Sequence, residues 1–215
     1  MHKQKRKKRK MKLIHLTIAT AILALTVSSC KKDEPITPTP TPETGNIVVT
    51  SNVTVNTTWT NDNIYQLGGR ITVTNGITLT IEAGTVIKGE AGTGANATAL
   101  LVARGGKLMA NGTATLPIVF TSVADEITSA DLVAGNFGSP NLASDVDGLW
   151  GGIIVLGKAP ISASNSGSDL AQVQIEGIPT SDANGLYGGT DATDNSGSIT
   201  YVSIRHGGTN IGSGN

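Results

Sequence analysis

Ile71–Gly89 (ITVTNGITLTIEAGTVIKG) and Leu100–Ser122 (LLVARGGKLMANGTATLPIVFTS) carry the same pattern twice. Each opens apolar-x-apolar and reaches a glycine: Ile71, Val73, Gly76, then Leu100, Val102, Gly105. A second short apolar segment follows (Leu79 and Ile81; Leu108 and Ala110), and each copy closes on Gly-Thr, at Gly84-Thr85 and Gly112-Thr113. The copies are offset by 29 residues at the start and 28 at the end. A period of this size marks a stacked repeat rather than a compact two-layer domain. Apolar residues at i and i+2 make one short strand with a single inward face. The glycine then turns the chain where a Cβ would clash. Successive turns stack strands in parallel, ~4.8 Å apart, so each face of the resulting prism is a parallel sheet. The opening recurs as Val202-x-Ile204-x-x-Gly207, and in shortened form as Ile153-x-Val155-x-Gly157 and Val173-x-Ile175-x-Gly177. All of these are expected to be strands of the stack, with Val-on-Val and Ile-on-Ile ladders inside it. Pro117 heads the Ile118–Phe120 strand, where a missing donor is tolerated.

The rest of the composition agrees with an all-β solenoid. Aromatic residues are only 3% of the 215, so Val, Ile, Leu and Ala must build the core. Twenty-seven glycines with abundant Thr, Asn and Ser suit short strands and tight turns, and suit helices poorly. The zero net charge hides an asymmetry. Eight of the 16 basic residues precede Cys30 and all 16 acidic ones follow it, leaving a net charge of −8 on the remainder. Such a body is the wrong sign for nucleic acid. One cysteine excludes an internal disulfide framework and a multi-cysteine metal site.

Residues 1–29 read as a signal peptide: a basic start, an apolar run from Leu13 to Val27 too short for a spanning helix of ~20 residues, then small residues. Met11 is an alternative start, since Met11–Cys30 is a complete signal by itself. The Val27-Ser28-Ser29-Cys30 junction resembles a bacterial lipobox, which implies lipidation of Cys30 as the first mature residue. Lys31-Lys32-Asp33-Glu34 resembles the acidic export signal of some Gram-negative lipoproteins, and reads equally as a solvated charge run. Within the linker 30–45, Thr37–Thr44 (TPTPTPET) is an extended Pro-Thr tether of ~3 Å per residue. A β-helix is expected over 46–215, with an N-terminal cap at 46–65 and coils over 66–215. In the cap, Trp59 and Tyr65 are expected to pack rather than to form a sugar platform. No capping segment follows the last strand, so the stack is expected to continue in a longer gene product.

These blocks (GGRITVTNGITLTIEAGTVIKG, LMANGTATLPIVFTS, GLWGGIIVLGKAPI and ITYVSIRHGG) resemble the coils of right-handed parallel β-helix surface lipoproteins of Gram-negative bacteria. The resemblance implies a rigid rod on the outer membrane, displayed at the cell surface. It carries no enzymatic activity with it.

Three polar, glycine-rich segments break the period: Val123–Gly148, Ser162–Ala171 and Pro179–Ser198. Insertions in a solenoid leave the turns and gather on a flank, where loops carry binding. Their carboxylates are Asp125, Glu126, Asp131, Asp145, Asp147, Asp182, Asp191 and Asp194. Asp125, Glu126, Asp145, Asp147, Asp191 and Asp194 are the candidate ligand or Ca²⁺ residues, although neither EF-hand spacing nor a GGxGxD repeat is present. Gly92–Ala97 (GTGANA) has the spacing of a dinucleotide loop but lacks the helix and the later acid, and reads as a plain loop. The leading expectation is a surface lipoprotein whose loops bind carbohydrate or surface proteins, without a resident cofactor. The first alternative is a polysaccharide lyase or glycoside hydrolase using Asp145 and Asp147 beside Trp150, Glu176, and the Arg205-His206 pair. The second is a structural envelope component. No serine sits in a nucleophile elbow.

Overall fold

The computed structural model describes residues 45–212; Cys30, the signal segment and the Pro-Thr tether lie outside the described residues. The chain runs through successive coils. The first contains β1 (Gly45–Val49), a bridge at Val53 and β2 (Thr57–Trp59). The second contains β3 (Asn63–Leu67), β4 (Arg70–Val73) and β5 (Thr78–Ile81), and the third β6 (Val86–Gly89), β7 (Ala99–Val102) and β8 (Lys107–Asn111). The fourth contains β9 (Ile118–Ser122), β10 (Ile153–Val155) and β15 (Gly197–Thr200), and β16 (Val202–Ile204) begins the next.

Each coil sends one strand to each of three sheets. Sheet I has the order β1-β3-β6-β9-β16, sheet II β4-β7-β10, and sheet III β2-β5-β8-β15. Every pairing in these sheets is parallel, and Val53 extends sheet II through a parallel bridge to Val73. The cyclic order I, II, III repeated down the chain makes the architecture a three-sheet parallel β-helix. The 29-residue offset appears directly as register, Ile71 on Leu100 and Leu79 on Leu108.

The interior is filled by alternate residues of all three sheets. Tyr65, Ile87 and Phe120 stack from sheet I, Ile71, Leu100 and Ile153 from sheet II, and Leu79 and Leu108 from sheet III. Burying each of the large ones contributes about 1.5–3 kcal/mol. The ladders are mostly mixed, not Val on Val or Ile on Ile, because large and small side chains must alternate to fill a narrow prism. Trp59 and Tyr65 stack with centroids 4.7 Å apart and are buried in this core, so they are packing residues. Trp150 enters the core under Gly89, where a Cβ would lie 2.7 Å from the indole. On the final strand of each sheet (β10, β15 and β16) the inward positions Val155, Ile199 and Ile204 are 42, 47 and 52% exposed.

Three further sequence expectations need correction. Val202-x-Ile204 does not repeat the Ile71 opening of sheet II. It pairs with Ile118–Phe120 in sheet I, because insertions shift the phase of the repeat. Val173-x-Ile175 is not a strand of the stack. β13 (Val173–Gln174) pairs antiparallel with β14 (Leu186–Tyr187) inside an insertion, so one excursion interrupts the chain between β10 and β15. That excursion also holds the hairpin of β11 (Ser164–Asn165) and β12 (Ser168–Asp169), and it ends where β15 starts at Gly197.

The insertions also cover two flanks rather than gathering along one. After β9, the first carries helix α1 (Ser129–Val133), started by a capping box between Thr128 and Asp131. Its Ile127 and Leu132 bury against Ile64, Val86 and Val119 on the outside of sheet I. The second lays Ile175, Ile178 and Tyr187 over Leu101 and Ile154 on the outside of sheet II. Arg104 ties it down by donating to Gln172 Oε1 and to the Gly188 carbonyl.

Candidate functional site

The first insertion and the end of β16 enclose a cleft of about 500 Å³. Phe137, Gly138, Ser139, Leu142, Ser144, Val146 and Asp147 supply the wall from the insertion; Ile204, Arg205, His206 and Gly207 supply the wall from the coil. Both walls are braced. Gly148 N–H donates to the Gly207 carbonyl (2.7 Å) and Leu149 N–H to the His206 carbonyl (2.9 Å). From inside the core, Trp150 Nε1 donates to the Arg205 carbonyl at 2.7 Å.

Asp125 is the buried polar centre behind the cleft. Its side chain has no exposed surface, and it accepts hydrogen bonds from Thr121 Oγ1 (2.7 Å), Ile127 N–H (3.0 Å) and Ser139 Oγ (2.8 Å). Burial pushes its carboxyl upward, but those hydrogen bonds and the nearby Arg205 charge outweigh burial and hold it below the usual carboxylate range. Lys88, on the outer face of β6, donates from Nζ to the Asp125 carbonyl at 2.5 Å. Burial lowers its pKa, opposed by the carboxylates of Asp125, Glu126 and Asp131. Arg205 donates from Nε to Ser203 Oγ (2.9 Å) and from Nη2 to the Phe137 carbonyl, and its Nη1 is buried without a partner. Burial lowers the guanidinium's pKa, with Asp125 opposing, and a guanidinium in a protein remains cationic. His206 Nδ1 lies 2.6 Å from the Val146 carbonyl and Nε2 lies 3.9 Å from Asp125 Oδ2.

Of the acids singled out in the sequence, the fold brings Asp125 and Asp147 to this corner with Arg205 and His206, sets Glu126 and Asp131 near the Lys88 ammonium behind it, and places Asp145, Asp182, Asp191 and Asp194 outside the cleft. Glu126 is exposed, and its N–H donates to Asn141 Oδ1 at 3.0 Å. Asp145 is exposed and does not line the cleft. Asp182 starts a 3-10 turn by accepting from Asn184 N–H, and Asp194 accepts from Lys158 N–H at 2.6 Å. Asp191 closes a turn with Thr193, whose hydroxyl and N–H hydrogen bonds lower its pKa. Glu176 sits in the second insertion. Among the described residues no three of His, Cys, Asp and Glu come together to hold a metal ion. The Gly92–Ala97 segment forms one 3-10 turn (Gly94–Asn96) and leads straight into β7, so no helix meets a phosphate there.

Phe137, Ser139, Leu142 and Val146 escaped the sequence reading. Nothing in their spacing marks them, because the cleft is made by residues about 60 positions apart in the chain.

The cleft offers an exposed aromatic edge at Phe137, a guanidinium and one carboxylate on its walls, Asp147. Such a mixture suits a polyhydroxylated ligand, which needs an apolar surface beside directional polar groups. It suits acid–base chemistry less well. His206 Nε2 has no solvent-accessible surface, and hydrolysis of a sugar bond takes two carboxylates across it.

No curated protein and no solved structure showed significant similarity to the chain. A family model described as a pectate-lyase-like β-helix domain matches residues 50–215, which covers every strand of the three sheets except β1. The chain therefore belongs to the pectate-lyase-like β-helix family, and its parallel three-sheet stack is the fold which that membership predicts.

Proposed function

We propose that the protein is a cell-surface lipoprotein of a Gram-negative outer membrane, moored through Cys30 and the Pro-Thr tether, and that it binds glycan in the cleft between the first insertion and β16. The observation that carries the binding reading is the braced cleft itself: an aromatic edge, a guanidinium and a carboxylate held on two walls that are hydrogen-bonded at their base. Family membership supports a carbohydrate ligand. A rigid stack suits display, since the insertions are packed onto sheets that cannot bend independently.

A glycan array probed with the full chain tests the binding half. Phe137→Ala and Asp147→Ala change exposed wall residues without touching the core, and each is expected to weaken binding about tenfold, or ~1.4 kcal/mol. Unchanged binding by both variants would move the site elsewhere. Release of reducing ends or unsaturated products from the same glycans would replace binding by catalysis. Metabolic labelling with a fatty-acid analogue tests the anchor, and Cys30→Ala is expected to abolish the label and release the protein from the membrane.

A further inference from the structure

β1 and β2 are end strands of sheets I and III, and among the described residues nothing pairs with their outer edges. Side chains at this first end of the stack are apolar and open. Ile47 is 42% exposed although Tyr65, its partner in register, is buried, and Val48 and Val55 are 51 and 67% exposed. An unpaired edge is a template for another strand, and proteins commonly guard it with Lys, Pro or an inward-pointing charge. Here those guards are missing. Gly45–Asn61 contains neither a charged residue nor a proline, whereas the inner strands β4, β6 and β8 carry Arg70, Lys88 and Lys107. The free groups of the edge can be assigned. Val49 turns its carbonyl into the stack, accepting from Gly68 N–H at 2.9 Å. Backbone groups alternate sides along a strand, so Asn46 and Val48 turn their N–H and C=O groups to the open side.

We propose that this end is an interface between two copies of the chain, joined about a two-fold axis at Ile47 by antiparallel pairing of β1 with β1. In that register all five residues of the strand are paired. Val48 N–H of each copy donates to the Asn46 carbonyl of the other, and Asn46 N–H donates to the Val48 carbonyl. Ile47 meets Ile47, so each prism closes the open end of the other. Charge selects a second copy as the occupant. The chain after Cys30 carries a net charge of −8, so two copies repel over most of their surface. At the uncharged first end they meet without setting like charges together. The contact uses the same patch on both copies, so association stops at two. None of this rests on the function proposed above; an anchor at Cys30 would only raise the local concentration of the copies.

Sedimentation equilibrium of the full chain in density-matched detergent, from about 1 to about 100 μM, is expected to show a monomer–dimer equilibrium. Val48→Pro removes one N–H on the open side and no bond to β3. It is expected to weaken dimerisation at least about tenfold, because each copy loses a hydrogen bond to the other. The amides of β4, β5, β7 and β8 are expected to keep their exchange protection in this variant, which separates lost pairing from lost folding. Ile47→Cys supplies an independent reading. Facing residues at a non-hydrogen-bonded antiparallel site lie within disulfide reach, so mild oxidation is expected to link two copies. Thr58→Cys, on the outer face of sheet III, and the unmodified chain are expected to give no linked dimer. A monomer throughout the range, a mass that climbs past two copies, or a Val48→Pro variant that dimerises like the unmodified chain would each overturn the proposal. So would Ile47→Cys linking no more readily than Thr58→Cys.

Discussion

The outer face of sheet III and the outer faces of sheets I and II enclose the same interior but meet different surroundings. On sheet III the outward positions are Thr58, Thr80, Met109 and Ser198 on one line, with Thr78 beside Lys107 on the next. None is fully buried, and Asn111 accepts surface hydrogen bonds from Ser198 and Thr200. On sheet I the equivalent line is Ile64, Val86 and Val119, covered by Ile127 and Leu132. On sheet II it is Thr72, Leu101 and Ile154, with Leu101 and Ile154 covered by the second insertion. Two flanks are therefore buried on both sides and the third is a half-wet sheet. The cleft follows the packing: it forms where an insertion is anchored to a covered flank and its far limb reaches past the last strand.

Charging the lid should break this contrast most strongly. Leu132→Asp places an unpaired carboxylate in the fully buried cluster over sheet I, at a cost of at least about 3 kcal/mol. The coil core does not depend on Leu132 to close, so the expected result is local. Hydrogen exchange should rise across 123–148 while β4, β5, β7 and β8 keep their protection. Uniform loss of protection instead would show that the insertion is part of the folding core. Val119→Ala should cost less, about 2 kcal/mol, because it removes volume without burying charge. Denaturant melts of the full chain read that value.

The contrast was partly legible. In sheet III the sequence alternates, as in Thr78-Leu79-Thr80-Ile81, which is the pattern of a sheet with one wet face. In sheets I and II some strands run apolar without a break, as in Leu100-Leu101-Val102 and Ile118-Val119-Phe120, the pattern of a strand buried on both sides, whereas Ile71-Thr72-Val73 and Val202-Ser203-Ile204 alternate. The inward pairs marked the coil, but read as strands with a single inward face they did not reveal that two flanks are covered. What would cover them was harder to see. Val173-x-Ile175 has the spacing of a core strand, yet Ile175 packs on the outside of sheet II, because an apolar pair reports burial without reporting the side. The cleft left still less trace. Asp125 and His206 are 81 positions apart, and Lys88 joins them only because β6 pairs with β9. The acids of the insertions were visible as a group, but three of them serve local turns or caps, Asp191 with Thr193, Asp182 with Asn184 and Asp131 with Thr128.

The smallest expected effect is the one that sharpens the comparison furthest. Thr80 lies on the same kind of outward line in sheet III as Val119 does in sheet I, and it is only partly buried where Val119 is fully buried. Thr80→Ala should change stability by no more than about 0.5 kcal/mol, since it removes β-branching at a partly solvated position and little else. Measured beside Val119→Ala in the same melts, it should give a ratio of at least about four. A loss at Thr80 as large as that at Val119 would mean that sheet III is also covered in solution. The half-wet pattern of Thr78–Ile81 would then describe an interface, and the flank opposite the insertions would become a second place to look for a partner.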